Sequence, residues 1–214
     1  MVEIPIPANA YTSWVFYSRD EEIIFENIKF TNPNGINTKL YYIQPDDTVT
    51  GITFVDCEIE ANGSDKFFIQ MGNTLADLPG SLTLTRVKMT SSSNSFVRVE
   101  NATVKNSVTI QSSFFSDWHN DTYKAIQVGD DNDFTFINNT FISNSDQSII
   151  NLEGGGSLAP TVTIKNNIFY TGDIDESLDE DGGTFVEIQD ADYYVSNPDN
   201  FLVTNNVTYS DYYD

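Results

Sequence analysis

Cysteine is nearly missing from this chain. Cys57 is the only one among 214 residues, so no disulfide can form within the chain and stability must come from packing. Cys57 sits in a repeat position filled elsewhere by Ile, Val or Asn, which points to packing rather than a reactive thiol. Histidine also occurs once, as His119, beside Asp117 and Asp121. An Asp near a His suits acid-base work, but no Ser or Cys partner can be assigned, so a surface contact with Trp118 exposed is expected. Positive charge is scarce: 10 Lys and Arg stand against 32 Asp and Glu, for a net charge of −22. Such a surface repels nucleic acid and anionic membranes, and polyanionic sugars more weakly, while favouring solubility and divalent cations. No hydrophobic run reaches the length of a membrane span, which argues against direct membrane insertion. Nothing reads as a long amphipathic helix, which excludes βαβ and leucine-rich repeat architectures. Apolar residues make up 39% and aromatics 13%, too much for a disordered chain.

What the chain has in abundance is one repeated phrase. It reads Phe134-Thr-Phe136-Ile-Asn138-Asn139-Thr-Phe141, then Val162-Thr-Ile164-Lys-Asn166-Asn167-Ile-Phe169, then Phe201-Leu-Val203-Thr-Asn205-Asn206-Val207. Weaker copies begin at Ile23, Ile52, Leu82 and Val108. A period of this size means a solenoid, because one repeat cannot bury its apolar face alone. Apolar residues alternate with Thr, the period-two mark of a half-buried strand. Thr53, Thr83, Thr109, Thr135 and Thr163 are expected outward; Phe54, Leu84, Ile110, Phe136 and Ile164 inward. Asn tolerates left-handed backbone, so the Asn pairs mark a bend between strands. Asn138 and Asn166 are expected to bond backbone there. The next apolar residue (Phe30, Ile59, Met89, Phe115, Phe141, Phe169) returns to the core.

A second strand follows in each period, as in Leu40-Tyr-Tyr-Ile43-Gln44, Lys66-Phe-Phe68-Ile69-Gln70 and Ile149-Ile-Asn151-Leu152-Glu153. The expected fold is all-β: a single-stranded right-handed parallel β-helix of about seven coils, its hand taken from crossover chirality. Residues 1–22 are expected to cap it, residues 23–209 to form the solenoid and residues 210–214 a tail.

The period resembles the right-handed β-helices of the pectate-lyase and chondroitinase-B-like superfamily, nearest to uncharacterised secreted β-helix domains of Bacteroidetes. The resemblance covers about residues 23–209. It implies an extracellular or bacterial cell-surface protein, a polysaccharide or glycan partner, and other domains of a larger polypeptide. That superfamily holds lyases, hydrolases, adhesins and binding modules. Its lyases use Lys and Arg as base and acid, with Asn and Glu on calcium, and this catalytic pair does not map onto the present chain.

Read from the residues, the second strand carries the best candidates. If Ile43, Ile69, Val99, Val128, Leu152 and Ile188 point inward, an outward row reads Tyr42, Phe68, Arg98, Gln127, Asn151, Glu187. With coils about 4.8 Å apart the row spans roughly 25 Å. Rings stack on sugar faces, while amides and carboxylates bind hydroxyls; an ordinary polar sheet face is the plainer alternative. The expectation is therefore a non-catalytic carbohydrate-binding or adhesion module. A polysaccharide lyase or glycoside hydrolase stands second, with Arg98, Glu153 and Glu187 as catalytic candidates, and a structural spacer or phage fibre segment third. Asp173, Asp175, Asp179 and Asp181 offer alternating oxygen ligands for calcium; a solvated loop is the alternative. Asp130-Asp131-Asn132-Asp133 is a second acidic cluster at a tight turn.

Overall fold

The computed structural model describes residues 1–6, 14–18, 22–33, 39–43, 51–61, 69–71, 80–90, 95–100, 105–118, 124–143, 148–153, 159–171, 185–189 and 191–210. It is a parallel β-solenoid of three sheets. The first sheet stacks seven strands, from Ile23–Glu26 through Ile52–Val55, Ser81–Thr85, Ser107–Gln111, Asp133–Ile137 and Val162–Lys165 to Phe201–Thr204. The second stacks eight, from Val2–Pro5 and Ile28–Thr31 to Ile168–Thr171 and Val207–Ser210. The third stacks seven, from Trp14–Ser18 and Lys39–Ile43 through Ile69–Met71, Val97–Val99, Ile126–Val128 and Ile150–Leu152 to Val186–Ile188. The strands Val2–Pro5 and Trp14–Ser18, in the segment expected as a cap, thus form sheet edges. A six-residue helix, Ala191–Ser196, places Tyr194 against Phe201 at the other end.

The period-two pattern decides which side chains enter. Phe54, Leu84, Ile110, Phe136 and Ile164 stand in one register row and are fully buried. Thr53, Thr83, Thr109, Thr135 and Thr163 form the neighbouring row and stay half-buried on the outside. Ring stacking runs along the axis between coils: Phe25 lies 4.9 Å from Phe54 and Phe115 5.4 Å from Phe141, with planes 20° and 17° apart.

Between first and second sheets every coil turns on one left-handed residue: Asn27, Asp56, Arg86, Ser112, Asn138, Asn166 or Asn205, with φ between 51° and 58°. L residues avoid this region, Asn and Asp least. Arg86 is held there with both guanidinium contacts on Asp56, at 2.6 and 2.7 Å. The second residue of each pair, not the first, forms the buried ladder. Asn139 Oδ1 accepts from Ser113 N at 2.8 Å, Asn167 Oδ1 from Asn139 N at 2.8 Å, and Asn206 Oδ1 from Asn167 N at 2.9 Å. Their Nδ2 groups donate to Ile110, Phe136 and Ile164 carbonyls. The expectation for Asn138 and Asn166 is corrected accordingly. Their amides meet each other at 3.2 Å on the surface, and their contribution is the backbone conformation.

Cys57 occupies this same corner position. It is buried, its thiol faces the Phe25 and Val55 carbonyls at 3.4 and 3.3 Å, and burial pushes its pKa up. Trp118, expected at an exposed loop, lies fully buried in the strand Phe114–Trp118, edge-on to Phe141. A register shift between Phe115 and Trp118, with Asp117 at φ 54°, turns its ring inward.

Two measurements test this account. Phe136→Asp buries an unpaired carboxylate and is expected to cost about 3–5 kcal/mol in chemical denaturation; an unchanged midpoint contradicts the register. Asn167→Ala strands buried donors and acceptors and is expected to cost about 2–3 kcal/mol, against about 1 kcal/mol or less for Asn166→Gly, which keeps the backbone conformation. Equal losses contradict the division of labour within the pair.

Candidate functional site

The outward row of the third sheet has a different membership from the one expected. Tyr42 pairs with Gln70, Gln70 with Arg98, Arg98 with Gln127, Gln127 with Asn151, and Asn151 with Glu187. In the neighbouring register row Ile43 pairs with Met71 and Met71 with Val99, the last two buried. One strand is therefore slipped by two residues from the sequence alignment. A slip of two keeps every side chain on its face, so alternation alone could not detect it. Gln70 takes the place assigned to Phe68, and the expected Tyr42–Phe68 aromatic pair is not part of this row. Phe68 lies outside the described residues. Tyr42 is placed by its backbone alone.

Arg98 is exposed, Gln127 and Glu187 are half-buried, and Gln70 and Asn151 are buried. Short turns place their strands. Asn132 Nδ2 donates to the Glu100, Gly129 and Asp130 carbonyls at 2.9–3.0 Å, and its Oδ1 accepts from Asn106 Nδ2 at 2.9 Å. Asp133 accepts from Thr161 N at 2.7 Å and pairs with Lys105 at 2.9 Å. Two members of the Asp130–Asp133 cluster are thus committed to structure. Among the described residues no group of three His, Cys, Asp or Glu could hold a metal ion. The calcium candidates Asp173, Asp175, Asp179 and Asp181 lie outside the described residues, as does His119.

The carboxylates beside the row have contrasting environments. Gln70 Nε2 donates to Glu100 Oε1. Burial raises the pKa of Glu153, Asp130 and Glu100 add to the rise, and Arg98 opposes it. Glu187 is lowered: burial pushes it up, but the Lys124 ammonium, Ser148 and Asn151 together outweigh that. Lys124 Nζ stands 3.0 Å from Glu187 Oε2 as an ion pair without the alignment of a hydrogen bond. Asn151 Nδ2 is buried close to Glu187 without a well-formed bond of its own. The candidate catalytic residues thus share one face: Arg98 in the row, Glu153 beside it and Glu187 on the next coil. Burial and partners keep one carboxyl protonated more readily than the other, the usual division between an acid and a carboxylate.

The aromatic signal missed by sequence reading is on the second sheet. Tyr170 and Tyr209 are in register, 5.4 Å apart with planes 8° from parallel, and Tyr209 is 57% exposed. Tyr170 follows the core residue Phe169 and Tyr209 follows Thr208, its register partner, a spacing that could have paired them.

No protein-family model matches the chain, and neither a curated protein nor a solved structure is similar to it.

The raised Glu153 pKa has a definite sign. Its ionised form is disfavoured in the folded chain, so stability falls as pH rises from the usual carboxylate value through the folded one. Glu153→Gln is expected to melt higher than wild type at neutral pH, with the gain shrinking as pH drops below the carboxylate range. Thermal melts from pH 3 to 8, about the span of carboxylate titration, check this; a gain that grows on acidification contradicts it.

Proposed function

We propose that this chain is a non-catalytic carbohydrate-binding or adhesion module of a secreted or bacterial cell-surface protein, with a polysaccharide or glycan as partner. The observation that carries the reading is the straight outward row of the third sheet. Gln70, Arg98, Gln127, Asn151 and Glu187 stand one per coil in continuous register. Gln70 and Asn151 are buried, so the groups that reach solvent are Arg98, Gln127 and Glu187; a guanidinium, an amide and a carboxylate in one line can meet hydroxyls along an extended chain. The middle strands are held after their C-terminal ends by the Asn106 and Asn132 bonds and before the Val97–Val99 strand by Ser95 Oγ donating to the Lys124 carbonyl, so the groups are in place before ligand arrives, which limits the entropy lost on binding. A neutral or weakly anionic glycan suits this face, since the net charge of −22 opposes a polyanion. The solenoid also fits the resemblance to the pectate-lyase and chondroitinase-B-like superfamily.

One observation favours a second reading, a polysaccharide lyase or glycoside hydrolase of the β-helix type. Glu153 and Glu187 lie on adjacent coils with pKa values shifted in opposite directions, the pairing that general acid and carboxylate roles need. Turnover separates the two readings: release of reducing ends or of ultraviolet-absorbing unsaturated products, lost in Glu153→Gln, supports the enzyme.

A glycan array run with and without EDTA identifies the ligand and any calcium requirement. Against that glycan, Arg98→Ala is expected to weaken binding about tenfold, or ~1.4 kcal/mol by calorimetry, and Gln127→Ala somewhat less. Affinities within about twofold of wild type for both variants, with the fold intact, remove this face and leave the spacer reading.

A further inference from the structure

Three successive coils of the third sheet bring an amine, an amide and a carboxylate together. Gln127, Asn151 and Glu187 are register partners in turn, and Lys124 precedes Gln127 by three residues. Lys124 Nζ lies 3.0 Å from Glu187 Oε2. Glu187 is two coils from Lys124, about 10 Å at the spacing of paired strands, so the lysine side chain passes over the coil that carries Asn151. The Asn151 amide is within hydrogen-bonding reach of the same carboxylate. Asn151 is 3% exposed and its Nδ2 has no well-formed bond, a costly state for a buried donor. Glu187 Oε2 is likewise shut off from solvent.

We propose that Lys124 and Asn151 join in an intramolecular isopeptide bond, with Glu187 relaying the protons. The Nζ–Cγ bond forms and the Cγ–Nδ2 bond breaks. Lys124 enters as an ammonium with three protons on Nζ and ends with one. Glu187 carries the other two in turn to Nδ2, which departs as ammonium, and the carboxylate is restored. Atoms and charge balance without an oxidant or a second substrate. Burial pushes the Glu187 carboxyl up, but Lys124, Ser148 and Asn151 outweigh it and keep it ionised, the form that can take the first proton. Attack of an amine on an unactivated amide is slow in solution; here the groups sit on adjacent strands in fixed register, so little freedom is lost in bringing them together. Departure of Nδ2 also removes the unbonded buried donor. With Cys57 alone, no disulfide can tie one coil to the next. This bond closes a ring over residues 124–151 and restricts the unfolded chain as a disulfide does. Arg98 and Gln127 take no part, so the cross-link stands independently of glycan binding.

Intact-mass spectrometry of the folded full chain tests this. Wild type is expected about 17 Da below its sequence mass, the loss of one ammonia. Its tryptic map is expected to hold a branched peptide joining Lys124 to Asn151, with no cleavage after Lys124. Lys124→Arg keeps the charge opposite Glu187 but has no amine to attack. That variant and Asn151→Ala are expected at full sequence mass and to melt below wild type. Glu187→Gln keeps both linking residues and is expected at full mass as well. Wild type at full sequence mass after days at neutral pH overturns the proposal; Lys124 and Glu187 are then an ion pair and nothing more. So does an ammonia loss that persists in Lys124→Arg, or a branched peptide as abundant in Glu187→Gln as in wild type.

Discussion

The corner between first and second sheets is the constraint on which the rest depends. Each coil turns there from one sheet to the next within one or two residues, and in every coil a left-handed residue makes the turn. Because Asn27, Asp56, Arg86, Ser112, Asn138, Asn166 and Asn205 occupy equivalent places, the corners superimpose along the axis. The first six donate their backbone N–H to the following coil, as Asn138 does to the Lys165 carbonyl at 3.0 Å and Asn166 to that of Thr204 at 3.2 Å. Once the corners are stacked, the register of both flanking sheets is set. The Phe rows inside and the Thr row outside are consequences of that register.

Two chemistries fill the inside of this corner. In the first coils it is apolar, with Ile28, Cys57 and Val87. In the later coils Ser113, Asn139, Asn167 and Asn206 replace them with a fully bonded polar ladder. The joint between the two is direct: Val87 N donates to Ser113 Oγ at 3.1 Å. An apolar corner is stabilised by burial. A polar one is tolerable only when every member is satisfied, since an isolated buried amide is costly. The Asn run fits that rule because each amide both accepts from and donates to the preceding coil, and Asn139 and Asn167 donate to the next coil as well.

The three outer faces then diverge although they share one backbone. The first is a neutral Thr row. The second splits into a charged half and an apolar half. The third mixes amides, Arg98 and carboxylates of unlike pKa. Neighbouring charges and burial, rather than residue type, separate Glu153 from Glu187: the one faces Asp130 and Glu100, the other Lys124. A reading of function rests on these differences, because the scaffold itself is indifferent to what it presents.

The sequence by itself determined the repeat, the alternation that sends Phe136 inward and Thr135 outward, and the bends marked by Asn. All three follow from local backbone preference and from a period of two, which short windows reveal. It also supplied the members of the candidate row from Arg98 to Glu187, whose strands align without a slip. Only the tertiary structure decided that Gln70 and not Phe68 stands beside Tyr42, that Asn167 rather than Asn166 is the buried partner, and that Trp118 is core. It alone stacked Tyr170 on Tyr209 and set Glu153 among like charges. These outcomes depend on pairing between residues some 26–39 positions apart, across loops of unequal length. A slip of two residues leaves the inside–outside pattern unchanged, so hydrophobic periodicity has no means of choosing between registers. Packing between whole coils makes that choice.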